Sequence, residues 1–562
     1  MKGKLLIYQV FPRWFGNTTN VNKENGTIEE NGVGKFSSFT TKALSEIRKM
    51  GFSHIWYTGV IEHATKTDYS GFGIKKDHPD VVKGNAGSPY AIKDYYDVDP
   101  DLADSVEFRM EEFEDLVERS HKQDLKVIVD FVANHVARQY FSDAKRRKVD
   151  NLGEKDDTSR AFAPDNNFYY TPNQELYLDF AADKGENAYH EFPAKATGND
   201  RFDNTPNFYD WYETVKLNYG VDYANGRNKY FIPEPDTWYK MKDILLFWAS
   251  KGVDGFRCDM AEMVPVEFWN WVIPKIKSKY KSITFIAEVY NPNEYASYIQ
   301  AGFDYLYDKV GLYDSLKNII TGNRPSSDIT GCWQSLGDLQ PHMLNFLENH
   351  DEQRIASDFF AKDPFKAIPG LIVSATMNTC PFMVYSGQEL GEKGMDKEGF
   401  SGIDGRTTIF DYWSVDSIRN WYNDGKFGLS NLTEDQKNLR KIYTKILSLC
   451  SSEQAISDGK FFDVMYVNYD NPDFDPTKQY AFFRGYKKDL LLIVANFDDK
   501  AVNININIPE AVYDYLNIDA SKFRSAKDLL SNKKQSLKSG LSSSFETKLE
   551  AYSGRIFKFV VE

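Results

Sequence analysis

The chain has 562 residues, 41% hydrophobic and 27% charged, the balance of an ordinary globular protein with room for two or three domains. Its formal net charge of −14 removes any general attraction for nucleic acid or an anionic membrane surface, so neither is expected as a partner. No apolar run approaches the length of a bilayer span, and the opening "MKGKLLIYQVF" lacks the long apolar core and small-residue cleavage site of a signal peptide.

From the N-terminus to about residue 420, short β-rich runs alternate with helical patterns. The predicted strands are 4–11, 54–60, 126–132, 253–259, 283–290, 303–308, 343–350 and 381–387. Between them, apolar residues recur at helical spacing in 37–51, 105–123, 238–252, 264–280 and 364–377, the first with Ser and Thr before it and Gly51 after it. Eight strands alternating with helices predict a (β/α)8 TIM barrel, with a doubly wound open sheet as the competing architecture.

The third strand is followed by a long stretch, residues 136–230, rich in Asn, Asp, Tyr and Gly. A structureless loop of that length is foreign to a compact domain, so an inserted subdomain is expected there. From about residue 455 only strand patterns remain, which predicts a C-terminal antiparallel β-sandwich, with 531–544 as an exposed loop. The expected division is a barrel of 1–135 and 231–450, an insertion of 136–230 and a sandwich of 451–562. The cysteines, Cys258, Cys332, Cys380 and Cys450, show no metal-ligand or redox spacing, so free thiols in a cytoplasmic, reducing setting are expected.

The informative residues are charges at predicted strand ends. In "GVDGFRCDMAEM", alternation along a strand puts Arg257 and Asp259 on one face and Cys258 on the other. The arginine would hold the carboxylate ionised, as suits a nucleophile, although a structural ion pair reads the same way. Further strand ends supply Asp130, Asn134 and His135, then Glu288, then His350 and Asp351. Taken singly, each carboxylate has an ordinary use in capping a helix or bracing a loop, and each histidine is as well explained by core packing. Convergence of Asp259, Glu288 and Asp351 on one barrel mouth is not required by capping. Two facing carboxylates are the machinery of glycoside hydrolysis, one attacking the anomeric carbon and one protonating the leaving oxygen. Glu288 follows an apolar run, so desolvation would raise its pKa into the acid–base range.

Four motifs in order, "DFVANH" (130–135), "GFRCD" (255–259), "FIAEVY" (285–290) and "FLENHD" (346–351), resemble those of the α-amylase family of retaining glycoside hydrolases. The resemblance spans residues 4–420 and the C-terminal sandwich, and "GSPYAIKDYYDVDP" (87–100) is similar to the family's loop after its second strand. It implies that Asp259 is the nucleophile, Glu288 the acid–base and Asp351 the transition-state stabiliser, with Arg257 holding the nucleophile. Asp130, His135 and His350 match positions around the cleaved sugar, Tyr90 the aromatic that stacks on it, and Arg406 a nearby arginine. The implied substrate is an α-glucan oligosaccharide or polysaccharide, with no cofactor required for the chemistry. The competing readings are a glucanotransferase or trehalose synthase-like isomerase on the same scaffold, and a non-catalytic α-glucan-binding protein.

Two departures stand out. Many α-amylases carry Lys-His soon after the nucleophile, where this chain has "MAEM" (260–263), which puts the usual product-side subsite in doubt. Asn134 matches a position that binds structural calcium in the family, but Lys216 in "VKLN" stands where an aspartate ligand is expected. An ammonium there opposes a dication, so a weakened or absent metal site is expected. Aromatics of the insertion, including Tyr169, Tyr170, Tyr209, Trp211 and Tyr212, either line subsites or pack the insertion's own core, and core packing is expected for most.

Overall fold

The computed structural model describes residues 3–146, 148–181, 185–537 and 540–561. Eight parallel strands close into a barrel: β1 (Leu6–Val10), β2 (His54–Tyr57), β3 (Lys126–Val132), β4 (Gly255–Asp259), β5 (Thr284–Ala287), β6 (Tyr305–Tyr307), β7 (Met343–Phe346) and β8 (Phe382–Tyr385). Each strand pairs with its neighbours in sequence, and β1 closes on β8 with Leu6 opposite Phe382. That closure excludes the open-sheet alternative.

Alternation along the strands divides the side chains between two cores. Ile7, Trp56, Ile128, Ile286, Tyr307, Leu344, Phe346 and Met383 fill the barrel interior. Phe256 and Cys258 point the other way, into the larger core shared with the surrounding helices. Helix Thr41–Lys49 starts where the Thr40 side chain accepts the Ala43 N–H. Helix Arg109–His121 buries Phe113, Leu116 and Val117 on one face, the spacing that predicted it.

Several strands end sooner than the apolar runs suggest. β2 stops at Tyr57, β5 at Ala287 and β7 at Phe346. The residues beyond them curl out of the ladder at the C-terminal mouth, so Glu288, His350 and Asp351 lie just past the strands. Glu288 keeps one sheet-like bond, from its N–H to Cys258 O at 3.1 Å.

The chain leaves the barrel through His135–Ala137 and returns through Thr214–Lys216, which pair antiparallel with His135 opposite Lys216. Between these strands a second ladder joins Tyr170–Thr171 to Ala194–Lys195. Leu176, Leu178, Ala194 and Tyr212 pack a small core there with Val81.

The C-terminal part is antiparallel. Strands β9 (Lys460–Asp463), β10 (Gln479–Tyr486), β11 (Asp489–Asn496), β12 (Val502–Asn507), β13 (Phe523–Asp528), β14 (Lys534–Ser536), β15 (Ser544–Leu549) and β16 (Ser553–Val561) form a six-stranded sheet ordered β9-β10-β11-β16-β13-β14 and a β12-β15 pair. The expected loop at 531–544 contains the edge strand β14, whose exposed side chains gave no apolar alternation; residues 538 and 539 of that stretch lie outside the described residues. Arg484 docks this part on the helices, donating to the carbonyls of Met377, Ala455, Ile456 and Gly459. Among the described residues, no helix is long and apolar enough to cross a membrane.

Candidate active site

The mouth is organised around Arg257, which is 1% exposed. In the β4 ladder it lies opposite Asp130 of β3 and Ile286 of β5. Its guanidinium reaches three carboxylates at once: Nη1 to Asp259 Oδ1 at 2.7 Å, Nη2 to Glu288 Oε2 at 2.7 Å, and Nη1 to Asp130 Oδ1 at 3.4 Å. Its Nε donates to Tyr307 Oη at 3.2 Å, and the rings of Trp56, Tyr90 and Tyr307 surround it with centroids 5.3–5.5 Å away. A fork of fixed N–H donors can satisfy two carboxylates simultaneously.

Burial raises the pKa of Asp259, with Arg257 opposing the shift. Burial also raises Glu288, again against Arg257, and the neighbouring Asp259 charge adds to the rise. The two carboxyl groups are near enough for a side-chain hydrogen bond between them. Glu288 is held from every side: Tyr290 Oη donates to Oε1 at 2.5 Å and the Met260 N–H to Oε2 at 2.9 Å. To make that contact Met260 takes a left-handed conformation, φ 40°, immediately after Asp259. Such strain in a non-glycine residue is concentrated at functional sites.

Asp130 lies deeper. Its Oδ2 accepts from Trp56 Nε1 at 3.0 Å and the Gly59 N–H at 3.3 Å, and burial lifts its pKa to about 7. His350 is held by Gln9, whose Nε2 lies 2.9 Å from Nδ1. Burial, assisted by the charge of Arg257, keeps the imidazole neutral. With Nδ1 accepting, the proton sits on Nε2, facing Tyr90 Oη at 2.5 Å and Asp351 Oδ2 at 3.1 Å. Asp351 is the most accessible of the three strand-end carboxylates, its side chain 36% exposed, and its pKa is raised by burial and by the charge of Glu288.

Tyr90 lies against His350, the rings 25° from parallel with centroids 5.2 Å apart. Its loop is placed by Gly87, where φ is +81° and a Cβ would stand 1.7 Å from Ala64 O. Only glycine fits that approach. His135 hydrogen-bonds the backbone of Tyr90, and burial together with the charge of Lys216 lowers its pKa to about 3.

The structure therefore brings Tyr90, Asp130, His135, Arg257, Asp259, Glu288, His350 and Asp351 to one mouth. Arg406 reaches the same rim but turns to Asp404, with a 2.8 Å ion pair, and touches only the backbone carbonyl of Asp351 at 3.4 Å. Of the insertion aromatics, Tyr169, Tyr170 and Tyr212 are buried and Tyr209 is exposed on the surface. Trp211 faces the site, 5.2 Å from the His135 ring. Gln9, Trp56, Tyr290 and Tyr307 were not singled out in the sequence; a polar or aromatic side chain on the inward face of a strand, or two residues from a candidate acid, was the available signal.

The MAEM segment does not face the cleft with its charge. Glu262 Oε2 accepts the N–H groups of Tyr290 and Asn291, at 2.9 and 3.0 Å, and ties the segment after Asp259 to the one after Glu288. The calcium position can be tested on the donors present. Asn134 Oδ1, Asp200 Oδ1 and Met263 O converge on one point, and the Lys216 ammonium occupies it. As built, this set does not fit a calcium ion.

The family model for the α-amylase catalytic domain matches residues 9–451, and that for the α-amylase C-terminal all-beta domain matches 469–560. The chain belongs to the α-amylase family. Alpha-amylase 3 of Dictyoglomus thermophilum is 24% identical over 396 residues, 66% of this chain and 68% of that protein. Among solved structures, an α-amylase from Geobacillus thermoleovorans complexed with acarbose superposes with TM-score 0.63 at 20% identity, covering 99% of this chain and 98% of its own. A cyclomaltodextrin glucanotransferase superposes with TM-score 0.65 at 15% identity over all of both chains. At these identities the superpositions establish the fold.

Proposed function

We propose that the protein cleaves α-1,4-glucosidic bonds in maltodextrin or starch-type glucans with retention of anomeric configuration. The observation that carries this reading is the single guanidinium shared by Asp259 and Glu288, each 2.7 Å from Arg257. Carboxyl groups that bracket one guanidinium support the retaining geometry, in which acid and nucleophile stand closer together than the water-spaced pair of an inverting glycosidase.

In the proposed reaction Asp259 attacks the anomeric carbon while Glu288 gives its proton to the departing glycosidic oxygen. The C–O bond to the leaving sugar breaks as the bond to Asp259 forms. Water, deprotonated by the now ionised Glu288, then attacks the glycosyl ester and restores both groups. Asp351, Asp130, His135 and His350 bind sugar hydroxyls, and Tyr90 stacks on the ring. Asp351 adds negative charge near the oxocarbenium-like centre. The insertion supplies one wall of the cleft, with Trp211 as its aromatic contact. The buried, unpaired state of Cys258, Cys332, Cys380 and Cys450 supports a cytoplasmic, reducing location and so oligosaccharide substrates.

The test is incubation with maltotriose, maltoheptaose, pullulan, isomaltose, sucrose and trehalose, reading products by chromatography and the first anomer formed by NMR. Shorter maltodextrins released as α-anomers are expected. Longer or rearranged sugars would instead assign transfer, the activity named for the glucanotransferase of the same fold. Initial β-anomers would overturn retention, and absence of turnover would leave a binding protein.

A further inference from the structure

We infer that Lys216 is a built-in cation that takes the place of a structural metal and locks the insertion onto the catalytic mouth. Its side chain is 2% exposed. Nζ makes a 2.6 Å ion pair with Asp200 Oδ1, donates to Asn134 Oδ1, and donates to Met263 O at 3.1 Å. The ring of Tyr223 closes another side, 5.7 Å from the ammonium. Amide, carboxylate and carbonyl oxygens from three separate segments around one positive centre form the donor set of a hard cation. Here that cation is covalently attached to the chain.

The attachment matters because of where the donors lie. Asn134 precedes His135, and Lys216 is its ladder partner. Met263 ends the short turn that follows Asp259 and Met260. Asp200 belongs to the insertion, where a left-handed residue (φ 61°) presents its carboxylate. One ammonium therefore fixes a sugar-contacting histidine, the segment behind the proposed nucleophile and the insertion relative to one another. A bound metal can dissociate or be chelated; a lysine cannot. Lys216 is thus a positioning residue.

This yields a gain-of-function test. Lys216→Ala vacates the centre and leaves the three oxygens, so the variant should acquire the metal dependence that the native chain lacks at this place. A separate acidic group, Glu62, Asp94 and Asp143, has carboxylates near enough together to take calcium independently of Lys216, so Asp200→Asn serves to identify the site. Melting temperatures would be recorded in EDTA and in millimolar calcium chloride for the native protein, Lys216→Ala, Asp200→Asn and the double variant. Lys216→Ala should melt roughly 5 °C lower in EDTA and regain most of that in calcium, with the regain absent from the double variant.

At 20 °C, far below either transition, kcat/KM of Lys216→Ala should fall on the order of tenfold in EDTA and recover in calcium, because misplacement rather than unfolding is the cause. The melting experiment does not depend on the proposed reaction, so failure of the activity alone leaves the two ideas distinguishable. If Lys216→Ala yields no folded protein, Lys216→Asp supplies an anionic ligand in its place and should fold and bind calcium. Two results would overturn the inference: a calcium response of the native chain that Asp200→Asn abolishes, or the lack of any calcium gain in both Lys216 variants.

Discussion

Tyr290 Oη donates to Glu288 Oε1 at 2.5 Å, from two residues further along the same segment. The bond favours the ionised carboxylate, so it lowers a pKa that burial raises. Tyr290→Phe should therefore raise the Glu288 pKa and move the basic limb of the kcat/KM–pH profile upward, because the acid form survives to higher pH. The profile on maltotriose checks this. An unmoved or downward-moved basic limb would show that the hydroxyl does not set the proton affinity of Glu288.

The roles of the two carboxylates separate on the leaving group. Asp259→Asn should lower kcat by about 10³–10⁴-fold or more on every substrate, since no other group can form the glycosyl bond. Glu288→Gln should be comparably impaired on maltotriose yet release a nitrophenolate, which needs no proton, in a rapid burst. If both variants behave alike on the two leaving groups, the assignment of nucleophile and acid fails.

Arg257 is surrounded by three carboxylates, so its removal leaves buried charge without a partner. Arg257→Met should cost about 3–5 kcal/mol in urea unfolding at pH 7, and less at pH 5, where the carboxyl groups can take up protons. A change below 1 kcal/mol at pH 7 would mean that the network relaxes into water.

Asp130 gives a second dependence on pH. Its pKa rises from 3.8 to about 7 in the folded chain, so the native state holds a proton that the unfolded state releases. The stability this contributes is complete below pH 3.8 and is lost as pH rises through 7. Asp130→Asn keeps an oxygen for Trp56 Nε1 and the Gly59 N–H while removing the titration. The native protein should thus lose stability relative to this variant between pH 4 and 7, as read from parallel urea titrations. Parallel curves would rule the titration out.

The barrel was legible because its strands are apolar runs at regular intervals, and the proposed catalytic residues because charge at the end of such a run is expensive without a purpose. The same apolar signal misled at strand ends. It continued through Glu288 and His350 although the ladder had stopped, because burial at the mouth comes from the overlying loops as well as from strand pairing. The direction of a side chain was also invisible: Arg406 belongs to the right region but pairs with Asp404, and Glu262 turns from the cleft to hold two backbone N–H groups. Gln9 and Trp56 escaped notice because a lone polar or aromatic residue in a strand has no pattern; only closure of the barrel sets Gln9 against His350. Lys216 could be read as an obstacle to calcium, but that its ammonium would sit among the would-be ligands depended on fold geometry.

The insertion departs and returns through one antiparallel ladder, with His135 facing Lys216, so its two ends emerge side by side. To the barrel, everything between Arg138 and Glu213 is a closed loop whose length costs little in chain entropy. Its far reaches can be lengthened, trimmed or exchanged for those of a relative without moving Asp259 or Glu288, provided that the ladder, the Asp200 contact and the bonds of Asn151 and Asn167 to Asp236, Thr237 and Lys240 of the barrel are carried along. If the insertion walls the cleft as proposed, it is a replaceable cassette, in which selectivity for glucan length would be re-engineered independently of the chemistry.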